Sequence, residues 1–148
     1  MNRELRAPAR YEADFHRWSH EQAQLLRDGH LDALDRANIA EELDTLGRSE
    51  AAALRSSLRL IILHLLKLTH QPARASRSWR STIVRERNNV ERRLAENPSL
   101  KAKLPVLFAE AYEDGRREAI AETGLGAEVF PEGPAFTIEQ VRDQAFCP

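Results

Sequence analysis

The segment Leu58–Leu68, LRLIILHLLKL, leaves a folding chain few options. At 100° per residue, Leu60, Ile61, Ile62, Leu63, Leu65, Leu66 and Leu68 cover nearly the whole circumference of a helix, interrupted only by Arg59, His64 and Lys67. A helix that is apolar on all sides needs neighbours on all sides. The segment therefore predicts the central member of a helical bundle. Its eleven residues are too few to cross a bilayer and its flanks are basic, which argues against a membrane span.

The rest of the chain reads as helices that could surround it. Tyr11, Phe15, Trp18, Gln22, Leu25 and Leu26 recur at helical spacing, predicting a helix from about Tyr11 to Asp28 that Gly29 stops. Asp35 precedes RANIAEELDTLG as an N-cap, and Ile39, Leu43 and Leu46 form an expected buried stripe. Gly47 costs about 1 kcal/mol against alanine without ending a helix, so one continuous helix is expected from Arg36 to Thr69, stopped by Pro72. QPARASRS is a loop from which Ser76 or Ser78 caps a helix carrying Trp79, Ile83, Val90 and Leu94. Asn97-Pro98 is a stop followed by a start. The last long helix should reach Thr123, kink near Pro105, bury Leu104, Phe108, Ala111, Gly115 and Ala119, and end at Gly124. Thr137 with Gln140 is a capping-box pattern for a short final helix. No stretch alternates with period two. The expectation is an all-α, single-domain helical bundle over residues 11–148, built around a long central helix, behind an arm of residues 1–10.

Composition removes several functional classes. With 42% hydrophobic and 30% charged residues the chain can bury a core, which excludes an intrinsically disordered protein. Cys147 is the single cysteine, so neither an internal disulfide nor a cysteine metal site can form within one chain. The N-terminus lacks the apolar run of a secretory signal, so the expected compartment is the cytoplasm. Charge is unevenly spread. Residues 1–50 hold 7 basic and 11 acidic side chains, residues 51–105 hold 12 and 3, and residues 106–148 hold 3 and 9. A basic middle between acidic ends suits helices that pair with their complements inside the fold, or an anion-binding face.

YEADFHRW, LDRANIAEEL, HLLK, QPARASRSW, NPSL and AETGL follow one another in an order and spacing that resembles the bacterial domain of unknown function 29 family, from Tyr11 to about Pro148. The resemblance implies an all-helical domain and no particular activity. The positions that match its motifs are Glu41, Glu42, His64, Lys67, Pro72, Trp79, Tyr112 and Glu122.

Three constellations could carry chemistry. His16 and His20 have the i,i+4 spacing of two metal ligands, but both project opposite to the stripe of Phe15 and Trp18, so solvent-facing side chains are expected. Glu50, Ser57 and His64, seven residues apart, form a polar line along the core stripe of a continuous helix, with Glu42 on its flank. Glu86 on the next helix and Glu122 on the last could face the same interior, joined by Tyr112. Carboxylates around a histidine can bind a metal or move protons. Yet Glu-x-x-His occurs nowhere, and Arg48, Arg80 or Arg87 could equally pair with such carboxylates as a structural polar core. Finally Arg74, Arg77, Arg80, Arg85 and Arg87, with Arg92, Arg93 and Trp79, could contact phosphates, although a pI near 6.5 lies far from that of dedicated nucleic-acid binders.

Phosphate-loop, dinucleotide-fold and nucleophile-elbow patterns are absent. The expectation is a non-enzymatic interaction or structural protein, self-associating as a homodimer or bound to a protein partner, without a cofactor or a membrane contact. The alternatives are a small-molecule or metal site, hydrolytic in the extreme case, near Glu42, His64 and Glu122, and a nucleic-acid contact through the arginines of 74–93.

Overall fold

A computed structural model describes residues 7–148, and every regular element among them is helical. The chain forms two compact units, one through Gly47 and one from Arg48 to Pro148.

In the first unit, α1 (Phe15–Arg27) starts later than the apolar spacing predicts. Residues 11–13 form a turn, because Asp14 takes an extended φ of −151° and its carboxylate accepts the Arg17 N–H at 3.0 Å. An N-cap carboxylate satisfies a backbone donor that helix geometry leaves orphaned, so it fixes the start better than hydrophobicity does. Gly29, at φ +74°, turns the chain out of α1. A short 3-10 turn, Leu31–Ala33, leads to α2 (Arg36–His70), whose first turn is capped by Asp35 accepting from the Asn38 N–H at 3.4 Å.

Asp35 also accepts the Trp18 indole N–H at 3.0 Å, and its own N–H donates to Gln22 Oε1 at 2.8 Å. The Tyr11 hydroxyl is hydrogen-bonded to Glu42. These bonds set α1 on the flank of α2 that carries Asp35 and Glu42, about 60° around the helix from the line of Ile39, Leu43 and Leu46. The expected buried stripe is consequently open: Leu43 and Leu46 are each 63% exposed, and Leu26 and Phe15 on α1 are 49% and 50% exposed.

The second unit holds the core. Leu54, Leu58, Ile61, Ile62, Leu65 and Leu66 of α2 are completely buried, as a helix apolar all round requires. They are covered by α3 (Arg77–Glu96), capped by Ser76, by α4 (Leu104–Thr123) and by the short α5 (Ile138–Arg142), which has the expected Thr137–Gln140 capping box. Arg55 pairs with Glu110, Arg59 with Glu118 and Lys67 with Glu122, so residue numbers rise together and α2 and α4 run parallel. The basic middle thus meets part of its acidic complement inside this unit. Gly115 is where the two helices touch: a Cβ there would lie 3.1 Å from the Arg59 carbonyl oxygen and from Ile62 Cγ2.

Pro105 does not kink α4. The stretch Pro98–Lys103 is a separate 3-10 turn, α4 starts at Leu104, and Pro105 occupies the first turn, where its missing N–H breaks no bond. Gly124, at φ +69°, closes α4 through an N–H to Ile120 oxygen at 3.1 Å. No helix among the described residues is long and apolar enough to cross a membrane.

Candidate functional site

The exposed leucines of the first unit border a groove of about 390 Å³ between α1 and α2. Trp18 and Gln22 form its floor, 3% and 9% exposed. Ser19, Ala23 and Leu26 build the α1 wall, and Ile39, Leu43 and Leu46 the α2 wall. Apolar side chains on both walls face solvent at the spacing by which one helix ordinarily receives another.

The polar groups bordering the groove are already engaged. Gln22 binds the Asp35 N–H, and Glu42 binds the Tyr11 hydroxyl, which the hydrogen bond and charge of Glu42 hold above the usual phenol range. Asp35, with hydrogen bonds from Asn38 and Trp18, sits below the usual carboxylate range. Tyr11 meets Phe15 and Trp18 in T-shaped contacts, with the Tyr11–Trp18 centroids 4.8 Å apart, and Phe15 and Trp18 lie tilted at 32° to each other. The site is an apolar surface whose bordering polar groups are paired within the first unit.

The residues proposed from sequence as one polar cluster have separate partners. Glu42 belongs to the first unit, His64 and Glu122 to the second. Glu50 is half-buried and pairs with Arg93 at 2.9 Å, with Asn97 at 3.4 Å. Glu86 is 7% exposed; burial pushes its pKa up, but hydrogen bonds from Ser57, Arg85 and Asn89 prevail and hold it below the usual range. The His64 Nδ1–H donates to the Leu60 oxygen at 2.7 Å, and burial pushes the imidazole below its usual range. Tyr112 is 1% exposed and donates to the Pro131 oxygen at 2.8 Å, anchoring the turn after α4 together with Arg116. Glu122 does not face the core: its side chain is 47% exposed and binds Lys67 at 2.7 Å, whose ammonium lies 4.4 Å from the Trp79 ring centroid. His16 and His20 are exposed and in ring contact, 4.6 Å between centroids. Among the described residues, no three His, Cys, Asp or Glu side chains come together as metal ligands.

The arginines also divide. Arg74, Arg77, Arg80 and Arg85 are exposed, Arg80 contacting the Cys147 sulfur at 3.2 Å and Arg85 binding Glu86. Arg87 departs from the carboxylate pairing expected of it. It is 2% exposed and donates to the Val141 and Gln140 oxygens at 2.8 and 3.1 Å. Carbonyls at the end of a helix are unpaired acceptors that a buried guanidinium can satisfy.

Sequence reasoning missed the Lys67–Trp79–Glu122 contact and the Trp18–Asp35 bond. The only sequence signal for the second was Asp35 as a cap within a short connection of the Trp18 helix.

No curated protein and no solved structure shows significant similarity to the chain. A helical fold over the whole described chain and a family match over residues 10–147, described as domain of unknown function DUF29, lead to one conclusion: the protein belongs to that family.

Proposed function

We propose that the protein is a non-enzymatic helical interaction module of the cytoplasm, and that the groove between α1 and α2 is its contact surface. One observation carries this reading. Leu43 and Leu46, more than half exposed on the N-terminal part of α2, line an open apolar groove with Leu26. Fully burying one such leucine is worth about 1.5–3 kcal/mol, and among the described residues nothing collects that stabilisation. The polar groups at the rim are spent on intrachain bonds, which favours recognition over chemistry.

The test uses a thiol as a probe of coverage. Leu43→Cys, in a Cys147→Ser background, reacts readily with a maleimide in the purified protein. In living cells that produce it at native level, the same thiol is protected, while a thiol at the exposed Val106 reacts in both settings. Equal reactivity of position 43 in cells and in purified protein refutes the reading.

A further inference from the structure

We infer that the groove of the first unit receives a basic amphipathic helix from a partner protein. This rests on the interaction-module reading and names its partner class.

The shape argues for a helix. The α1 wall places Ser19, Ala23 and Leu26 at intervals of four and three above the buried Trp18 and Gln22, and the α2 wall places Ile39, Leu43 and Leu46 at intervals of four and three. Two such walls, running along a 13-residue α1 about 20 Å long, fit a guest of three to four turns. Small residues allow it close: Ser19 and Ala23 stand on the α1 wall.

Charge argues for a basic guest. Residues 7–47 carry nine carboxylates against four arginines, and Arg17 is already tied to Glu21 at 2.7 Å. Glu42 lines the groove, and Asp44 lies on the same helix between the two exposed leucines. A surface this acidic raises the encounter rate of a cationic partner and opposes an acidic one.

A second copy of the chain is a poor guest. Docking first unit on first unit brings two acidic surfaces together. The basic helix α3 has its apolar stripe committed, with Ile83, Val90 and Leu94 at most 4% exposed and Val84 left as its one exposed large apolar side chain. The cationic helix with a free apolar face therefore comes from another protein.

The probe is a labelled Leu/Lys peptide of about 18 residues with leucines at i, i+3, i+4 and i+7, titrated with the full chain and followed by fluorescence anisotropy. Two control peptides replace all Lys by Glu, or all Leu by Ser. The expected result is saturable binding of the Leu/Lys peptide, at least about tenfold tighter than either control and weakened by raising salt from about 0.05 to 0.3 M. Leu43→Asn, Leu46→Asn leaves every charge in place, and should weaken binding at least about tenfold with helical content unchanged. Binding that survives the double substitution, or a Leu/Glu peptide that binds equally well, overturns the inference. So does a solution mass of two chains that falls to one in the double variant, since the groove is then occupied by a second copy. A protected thiol at position 43 in cells, combined with no Leu/Lys binding, retains the interaction module and overturns this partner class alone.

Discussion

Truncating Arg87 should unfold the C-terminal part of the second unit far more readily than its place in a run of arginines suggests. The guanidinium is 2% exposed, and its two hydrogen bonds end on the Val141 and Gln140 carbonyls of α5. A bond from a charged donor contributes about 1.5–3 kcal/mol, so two set an upper range of about 3–6 kcal/mol. Arg87→Ala recovers part of the desolvation cost of the cation but leaves the carbonyl of the completely buried Val141 without its donor, and the Gln140 carbonyl with only the 3.3 Å bond from the Asp143 N–H. The net loss should be about 2–4 kcal/mol. For a chain of this size that lowers Tm by about 5–15 °C. Thermal melting by circular dichroism measures the loss, and hydrogen exchange should show it concentrated over residues 138–142. Arg87→Lys keeps the charge but cannot span two carbonyls with one ammonium, and should restore less than half of the stability. Arg80→Ala is the control: its guanidinium is exposed and contacts a thiol, so the change should stay within about 0.5 kcal/mol. An Arg87→Ala protein as stable as the parent, or an Arg80→Ala loss of equal size, would refute the reasoning.

Two further outcomes separate glycines and protons by their surroundings. Gly115→Ala should cost about 1–3 kcal/mol in urea unfolding, because its Cβ meets the Arg59 oxygen and Ile62 at 3.1 Å, whereas Gly47→Ala, in open space on a helix, should stabilise by about 0.5–1 kcal/mol. Equal effects at the two sites would contradict the packing described for α2 against α4. For His64, burial holds the folded-state pKa below that of the unfolded chain, so the unfolded chain binds more protons as the pH falls. Its contribution to stability is intact above the ordinary imidazole range and is lost as pH falls from that range through the lower folded-state pKa. Urea midpoints at neutral and mildly acidic pH should therefore show a smaller acid-side loss in His64→Gln than in the parent protein, and an unchanged slope would place the titrating group elsewhere.

The local elements of this fold are written in short stretches of sequence. LRLIILHLLKL buries its circumference because an apolar side chain at every angle leaves no face for water. Ser76, Gly124 and the Thr137–Gln140 pair mark helix ends because capping bonds reach only three or four residues along the chain. Pro105 was readable as a helix residue but not as a first-turn one, since Leu104 at the true start offers no capping side chain.

Tertiary structure decided the rest, including the candidate site. Periodicity identifies Ile39, Leu43 and Leu46 as one face, but not whether that face finds a neighbour. The face is open because Trp18 and Gln22 bond to Asp35, and Tyr11 to Glu42, which puts α1 on the adjacent flank. In the same way, Lys67 and Glu122 are 55 residues apart, and Arg87 and Val141 are 54 apart. Nothing in the local sequence tells a side chain which distant carboxylate or carbonyl it will meet. Helix periods and caps are short-range physics and can be read from the chain; the choice of which flank to bury depends on contacts that exist only once the helices have packed.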